Sequence, residues 1–381
     1  MKIGYVLDDT LDTPDGVQQY VLTLGAWMTV QGHDVHYLVG QTTRTDIPGI
    51  HSISRNMKVR FNGNRMSMPL PVSKESIREL LHSEQFDILH VQMPYSPFMA
   101  HQVMLSSPDS TAVIATFHIA PHSGFVKYAT RGLALWTSKS VRRIDKAFSV
   151  SSAAADFARQ TYKIQTDILP NVVEIGKFAD ALPFDNPSKK FTILFLGRLV
   201  PRKGCQLLLQ SLVLLKTKNP DISFRVIICG RGPLEAQLKA YVISHGLSDE
   251  VTFAGFVTET DKARYFKTAD LAVFPSSGGE SFGIVLIEAM AAGNPVVLGA
   301  DNPGYASVLA PYPDLLFEVG NAEGLAGKLQ VYITSNGVRS KASAWQREYV
   351  PRFDVAVVGS QLLEVYAEVR SGRPDSLGES S

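Results

Sequence analysis

Short apolar runs alternate with helical patterns twice along this chain, and that grammar restricts the fold more than any single residue does. In the first half, apolar runs at 3–7, 35–39, 86–91, 112–117 and 147–150 are interleaved with helically spaced patterns over 17–30, 98–105 and 153–161. Near-continuous apolar strands joined by helices predict a parallel sheet covered on both faces. A polar stretch, FDNPSKK at 184–190, reads as a linker, and the grammar then restarts. Strands are expected at 191–196, 224–229, 251–253, 271–274 and 295–298, with helices from Cys205, from Leu234, near Asp261 and from Phe282. The fold class is therefore α/β, with two Rossmann-like domains facing each other across a cleft. We place the first at 1–170 and the second at 171–352. A last helix over 353–370 follows a sheet that is already complete, so it is expected to pack back onto the first domain, and 371–381 reads as a mobile tail.

The bulk properties exclude several classes of function. With 37 Lys plus Arg against 36 Asp plus Glu, no global field draws the chain to nucleic acid. Cys205 and Cys229 lack metal-ligand spacing, which fits a reducing, cytoplasmic setting. The N-terminus has only five apolar residues between Lys2 and Asp8, too few for a signal peptide. The stretch closest to a membrane span, 110–126, carries Pro121, two His and a Gly. Peripheral contact at the inner face of the cell membrane stays open.

Ligands of open α/β sheets bind beyond the carboxyl ends of the strands, so the loops there carry the chemistry. After 191–196 comes GRLVPRKG, which puts Arg198 and Lys203 near a helix start, where a cation opposes the dipole and calls for an anion. After 271–274 comes GGESFGIVLIEAMAAG, a Gly-rich turn entering a helix. The N–H groups of Ser281, Phe282, Gly283 and Ile284 suit a diphosphate. Glu280 and Glu288 suit hydroxyl groups, because a carboxylate only accepts hydrogen bonds. Eight helical positions span roughly 12 Å at most, about the reach from a hexose across a diphosphate to a ribose. The plainer reading is that the dipole favours Glu280 and that Glu288 faces water. Against it, the helix around Glu288 is otherwise apolar, and a buried carboxylate without a partner is costly.

The stretches GGESFGIVLIEAMAAGNPVV and FLGRLVPRKG resemble the Glu-x7-Glu motif and the Arg/Lys segment of the retaining family-four glycosyltransferases, whose fold is called GT-B. Within that family, DTPDGVQQYVLTL, DILHVQMPYSP and ATFHIAPHSG are most similar to bacterial phosphatidylinositol mannosyltransferases. The resemblance implies that Arg198 and Lys203 neutralise a nucleotide diphosphate, that Glu280 contacts the donor sugar and that Glu288 takes the ribose. It also implies that His118 lies by the transferred sugar and that Gly16 lets the first loop approach the diphosphate. The chain departs from the pattern at Asp15, where a relative has Gly, and at 91–93, where the family continues after His90 with other residues.

The same resemblance implies retention of anomeric configuration. A two-step route needs a carboxylate nucleophile, and the pattern supplies none, so a front-face reaction is expected. No Asp-x-Asp triplet occurs, which predicts transfer without a metal or other cofactor. Glu259, in AGFVTETD, is read as accepting from guanine or as an ordinary first-turn residue. On the first reading GDP-mannose is favoured over UDP-sugars. The acceptor is expected to be a lipid or glycan hydroxyl. From 127 to 143, Lys127, Arg131, Lys139, Arg142 and Arg143 surround Leu133, Leu135 and Trp136 with no acidic residue, which suits an anionic membrane or a solvated helix. The alternatives are a sugar-nucleotide epimerase or phosphorylase on the same architecture, and a non-catalytic nucleotide-sugar binding protein.

Overall fold

Strand alternation in the computed structural model buries both faces of each sheet, which is why the apolar runs are continuous. Residues 1–12, 15–61, 64–70, 72–119, 124–186, 189–374 are described. The chain divides into one unit of residues 1–172 with the segment from 355 onward, and a second of 173–354.

The first unit carries β1 (Lys2–Leu7), β2 (Asp34–Val39), β3 (Ile50–Ser52), β4 (Asn56–Phe61), β5 (Asn64–Pro69), β6 (Ile88–Gln92), β7 (Ala112–Phe117), β8 (Lys146–Ser149) and β9 (Asp167–Ile168). Seven of them form a sheet in the order β3-β2-β1-β6-β7-β8-β9, every pairing parallel. In β1, Ile3, Tyr5 and Leu7 face the helices Gly16–Val30 and Val355–Ser371, packing with Leu24, Val358, Leu362 and Tyr366. Val6 faces the other way, with Leu38, Leu89 and Val113, under the helices Lys74–Glu84 and Met99–Ser106. The last helix begins at Val355 rather than 353, because residues 350–353 form a 3-10 turn after Tyr349. β4 and β5 pair antiparallel as a separate hairpin, an element missed in the sequence although Asn62-Gly63 is a strong hairpin signal.

The second unit carries β10 (Phe191–Leu196), β11 (Phe224–Cys229), β12 (Val251–Gly255), β13 (Leu271–Phe274), β14 (Val296–Ala300) and β15 (Leu316–Phe317), in the order β12-β11-β10-β13-β14-β15. This is the doubly wound order 3-2-1-4-5-6, in which the connections reverse direction between β10 and β13. The ends of the unit meet through a bridge between Val173 and Asp354. Both cysteines are buried free thiols.

Candidate functional site

The loops after β10 and β13 leave adjacent strands at this reversal point, and backbone contact holds them together. Gly204 has φ 73°, and a Cβ there would lie 2.0 Å from the Pro275 carbonyl oxygen, so only glycine lets the two loops approach. Across this contact Glu280 Oε1 receives Arg202 Nη1 at 2.6 Å, Lys203 Nζ at 2.8 Å and the Ser276 hydroxyl at 2.8 Å. Burial alone would raise the Glu280 carboxyl, but Lys203 and Arg202 beside it hold it below the usual carboxylate range. All three donors fall on one oxygen. Oε2 has no partner among the described residues and is left to accept from a ligand hydroxyl.

Arg198 lies half-buried in the loop after β10, and its guanidinium has no carboxylate partner among the described residues. Two cations on Glu280 leave one positive charge in surplus, and Arg198 adds a second. Such a loop pair is electrostatically matched to a diphosphate. The helix expected from Phe282 instead starts at Ile284 and runs to Ala291, because Gly283 takes φ 102° and forms its N-cap. A Cβ on Gly283 would meet Tyr305 at 2.6 Å, which reserves the position for glycine. The N–H groups of Ser281, Phe282, Gly283 and Ile284 have no acceptor among the described residues. The Phe282 ring is buried edge-on against Phe353, 5.7 Å between centroids, so this residue offers its backbone rather than its side chain.

Glu288 corrects the sequence argument. It is buried, but not unpaired: Lys262 Nζ lies 2.6 Å from its Oε1 and 2.7 Å from Glu259 Oε2. Burial would lower the Lys262 ammonium, and Glu288 and Glu259 together raise it instead. Glu259 is the first residue of the helix Glu259–Thr268, half-exposed beside its Lys262 partner. Lys262 and Arg202 are the residues that sequence reasoning missed. Arg202 stood in plain view beside Lys203, whereas Lys262 is 26 positions from Glu288 and gave no local signal.

In the first unit, Gly16 opens the helix Gly16–Val30 after Asp15. Asp15 is extended at φ −85°, so it does not need the left-handed region. His118 follows β7 and is buried, with Tyr20 edge-on at 5.1 Å. Burial pushes its imidazole down to about 3, so it is neutral at pH 7. Gln92 donates to the His90 carbonyl and turns its Oε1 toward His118 Nε2, 2.7 Å away. That bond puts the His118 proton on Nε2 and leaves Nδ1 as an acceptor. His90 is buried between Thr116 and Tyr366, at 2.7 Å and 2.6 Å, and burial also pushes it to about 3. Its two ring nitrogens are both committed to the core.

Comparison with known proteins places the whole chain in a family. Residues 14–177 match the model described as Glycosyltransferase Family 4, and 180–348 match Glycosyl transferases group 1. A phosphatidyl-myo-inositol mannosyltransferase of Mycolicibacterium smegmatis is 32% identical, covering 97% of this chain and 94% of that one. One from Propionibacterium freudenreichii is 29% identical over 96% and 94%. Among solved structures, sucrose-phosphate synthase from Thermosynechococcus elongatus superposes with TM-score 0.73 at 19% identity, over 97% of this chain and 99% of that one. The Anabaena HepE protein in complex with UDP-glucose gives 0.72 at 17%, over 97% and 100%. These likenesses establish the GT-B fold. The motifs, the two family matches and the near full-length relatives converge: the chain belongs to glycosyltransferase family 4, as a glycosyltransferase related to the phosphatidyl-myo-inositol mannosyltransferases.

Proposed function

We propose that this enzyme moves mannose from GDP-mannose to a lipid or glycan hydroxyl, with retention and without a metal ion. The observation that carries the reading is Arg198, a cation in the loop after β10 with no carboxylate partner among the described residues, in a loop pair whose Glu280 cluster already has one positive charge in surplus. Breaking the sugar–phosphate bond puts charge on the departing diphosphate, and donors fixed in advance at that charge are usually the largest catalytic contribution. Arg198, Lys203 and the open N–H groups of 281–284 would supply them. Glu280 Oε2 would accept from a sugar hydroxyl, and the second oxygen of Glu288 from the ribose. Neutral His118 would accept a sugar hydroxyl at Nδ1. No residue here is assigned as a nucleophile. The leaving phosphate would take the acceptor proton on the same face, which preserves configuration.

Mannose and an inositol lipid acceptor are suggested by the names of the relatives. On the helix Gly124–Val141, Leu135 and Trp136 are exposed at 79% and 68%, with Lys139 and, just beyond, Arg142 also exposed. That edge supports contact with an anionic membrane surface, where each cation contributes ~1 kcal/mol. Among the described residues no helix is long and apolar enough to cross a membrane. Incubation with labelled GDP-mannose, UDP-glucose and UDP-N-acetylglucosamine tests the reading. Acceptor-dependent α-mannoside from GDP-mannose in chelator supports it; transfer only from a UDP-sugar, or donor isomerisation without acceptor, overturns it.

A further inference from the structure

Among the described residues, three metal-ligating side chains converge in the first unit, and the proposed transfer gives none of them a role. His36 is the third residue of β2, His51 the middle residue of β3, and Glu84 ends the helix Lys74–Glu84. The β2–β3 register sets Leu38 beside His51, so His36, Leu38 and His51 project from one face of the sheet, the face this helix covers. His36 Nδ1 and His51 Nε2 are 2.8 Å apart. Their rings lie within 8° of parallel, with centroids 5.1 Å apart, so the facing nitrogens share a hydrogen bond, and each ring would turn to aim its lone pair at an ion taking that bond's place. Glu84 oxygens lie 3.8 Å from the first nitrogen and 3.9 Å from the second. One ligand atom from each residue lies within 4.8 Å of the other two, and a tetrahedral zinc ion with ligands at ~2.0–2.2 Å needs them roughly 3.4 Å apart, so modest side-chain shifts would close the triangle.

We propose that His36, His51 and Glu84 bind one divalent ion of the zinc class, with water completing the shell. Two imidazoles and a carboxylate suit borderline ions and not magnesium or calcium, which take oxygen ligands. Asp34 supplies the outer support: its Oδ1 is 3.1 Å from His36 Nε2. A carboxylate only accepts, so His36 carries its proton on Nε2 and keeps the Nδ1 lone pair for the metal. Without an ion that tautomer makes His51 Nε2 the donor to His36 Nδ1 in their 2.8 Å hydrogen bond, so metal binding would replace this bond and move the His51 proton to Nδ1. The Lys2 ammonium sits 2.5 Å from Glu84 Oε2 and 3.9 Å from Asp34, holding the carboxylate as a cation would. The ion would pin the edge strand β3 to the end of the helix, as a structural staple.

The test uses the tag-free full chain, stripped with chelator and titrated with Zn2+ or Co2+. Expected are one ion per chain, visible Co2+ bands of a low-coordinate site and a higher thermal midpoint in Zn2+. His36→Ala and His51→Ala should abolish saturable binding, and Asp34→Ala should weaken it by about 10–100-fold. Lys2→Met should tighten binding, since the competing ammonium is gone, and it answers the question even where a histidine variant fails to fold. Stoichiometry unchanged in the histidine variants, no saturable binding in the wild type, or no tightening in Lys2→Met would overturn the assignment.

Discussion

The two sheets share one strand order yet present opposite chemistry at their reversal points. Beyond β10 and β13 the second unit offers fixed charge: Arg198, the Arg202 and Lys203 pair on Glu280, and open amides. Beyond β1 and β7 the first unit offers groups that burial has neutralised or lifted. Burial pushes Asp8 and Asp9 up to about 6 and His118 down to about 3. Topology supplies a place for a ligand, and the residues of the loops decide what the place accepts. Fixed charge lies beyond one sheet, while beyond the other burial keeps His118 neutral and holds Asp8 and Asp9 close to titration.

The largest expected effect breaks the comparison on the charged side. Arg198→Ala should lower kcat by about 10²–10³-fold, as loss of a donor to developing charge does, and weaken GDP binding in calorimetry. Values within twofold of wild type would leave the second unit no different from the first. Next comes the buried pair. Lys262→Met strands the Glu288 carboxylate and should cost about 3 kcal/mol in urea unfolding, most of it recovered in Lys262→Met with Glu288→Leu. An additive double variant would mean that the two do not interact. On the neutral side, His118→Ala should slow transfer by about 10–100-fold, the worth of one or two hydrogen bonds, with GDP affinity unchanged. Loss of GDP affinity would place His118 with the diphosphate instead.

The smallest effect concerns pH and sharpens the contrast. Unfolded histidine titrates near 6.5 and unfolded aspartate near 3.9. As pH falls from about 6 to 4, the unfolded chain takes up protons on His90 and His118, which costs stability, while the folded chain takes them up on Asp8 and Asp9, which restores it. The four contributions oppose one another over that window. Asp9→Asn removes one restoring proton, so thermal stability should fall between pH 6 and 4 by up to about 1 kcal/mol per pH unit more than in wild type. Glu280, held low by its cations, loses its contribution progressively as pH falls from the ordinary carboxylate value toward its depressed folded one. A midpoint profile identical to wild type would show that Asp9 titrates alike in the folded and unfolded chains.

The sheets were legible because strands buried on both faces need unbroken apolar runs, and those runs survive in one dimension. β9 and β15, two residues each, are too short to carry a period. The loop holding Glu280 stood out because it sets an acid at a Gly-rich helix start, where a phosphate would be welcome. Its second cation, Arg202, was readable from the paired basic residues before Gly204. Lys262 was not: its meaning comes from Glu288 on another helix, and sequence distance hides such pairs. His90 likewise finds Tyr366 across 276 positions, and no local pattern foretells that bond.

The helix Val355–Ser371 closes the core of the first unit, yet it is synthesised after the whole second unit. At ribosomal speeds of ~5–20 residues per second, the intervening chain takes on the order of tens of seconds to emerge. During that interval Tyr5, Leu24 and Tyr37 lack their last apolar cover, and His90 waits for its phenol. The later half can fold first, since its own ends are tied at Val173 and Asp354. A chain ended after Asp354 and released should therefore display a protease-resistant second unit and a first unit that is still cleaved.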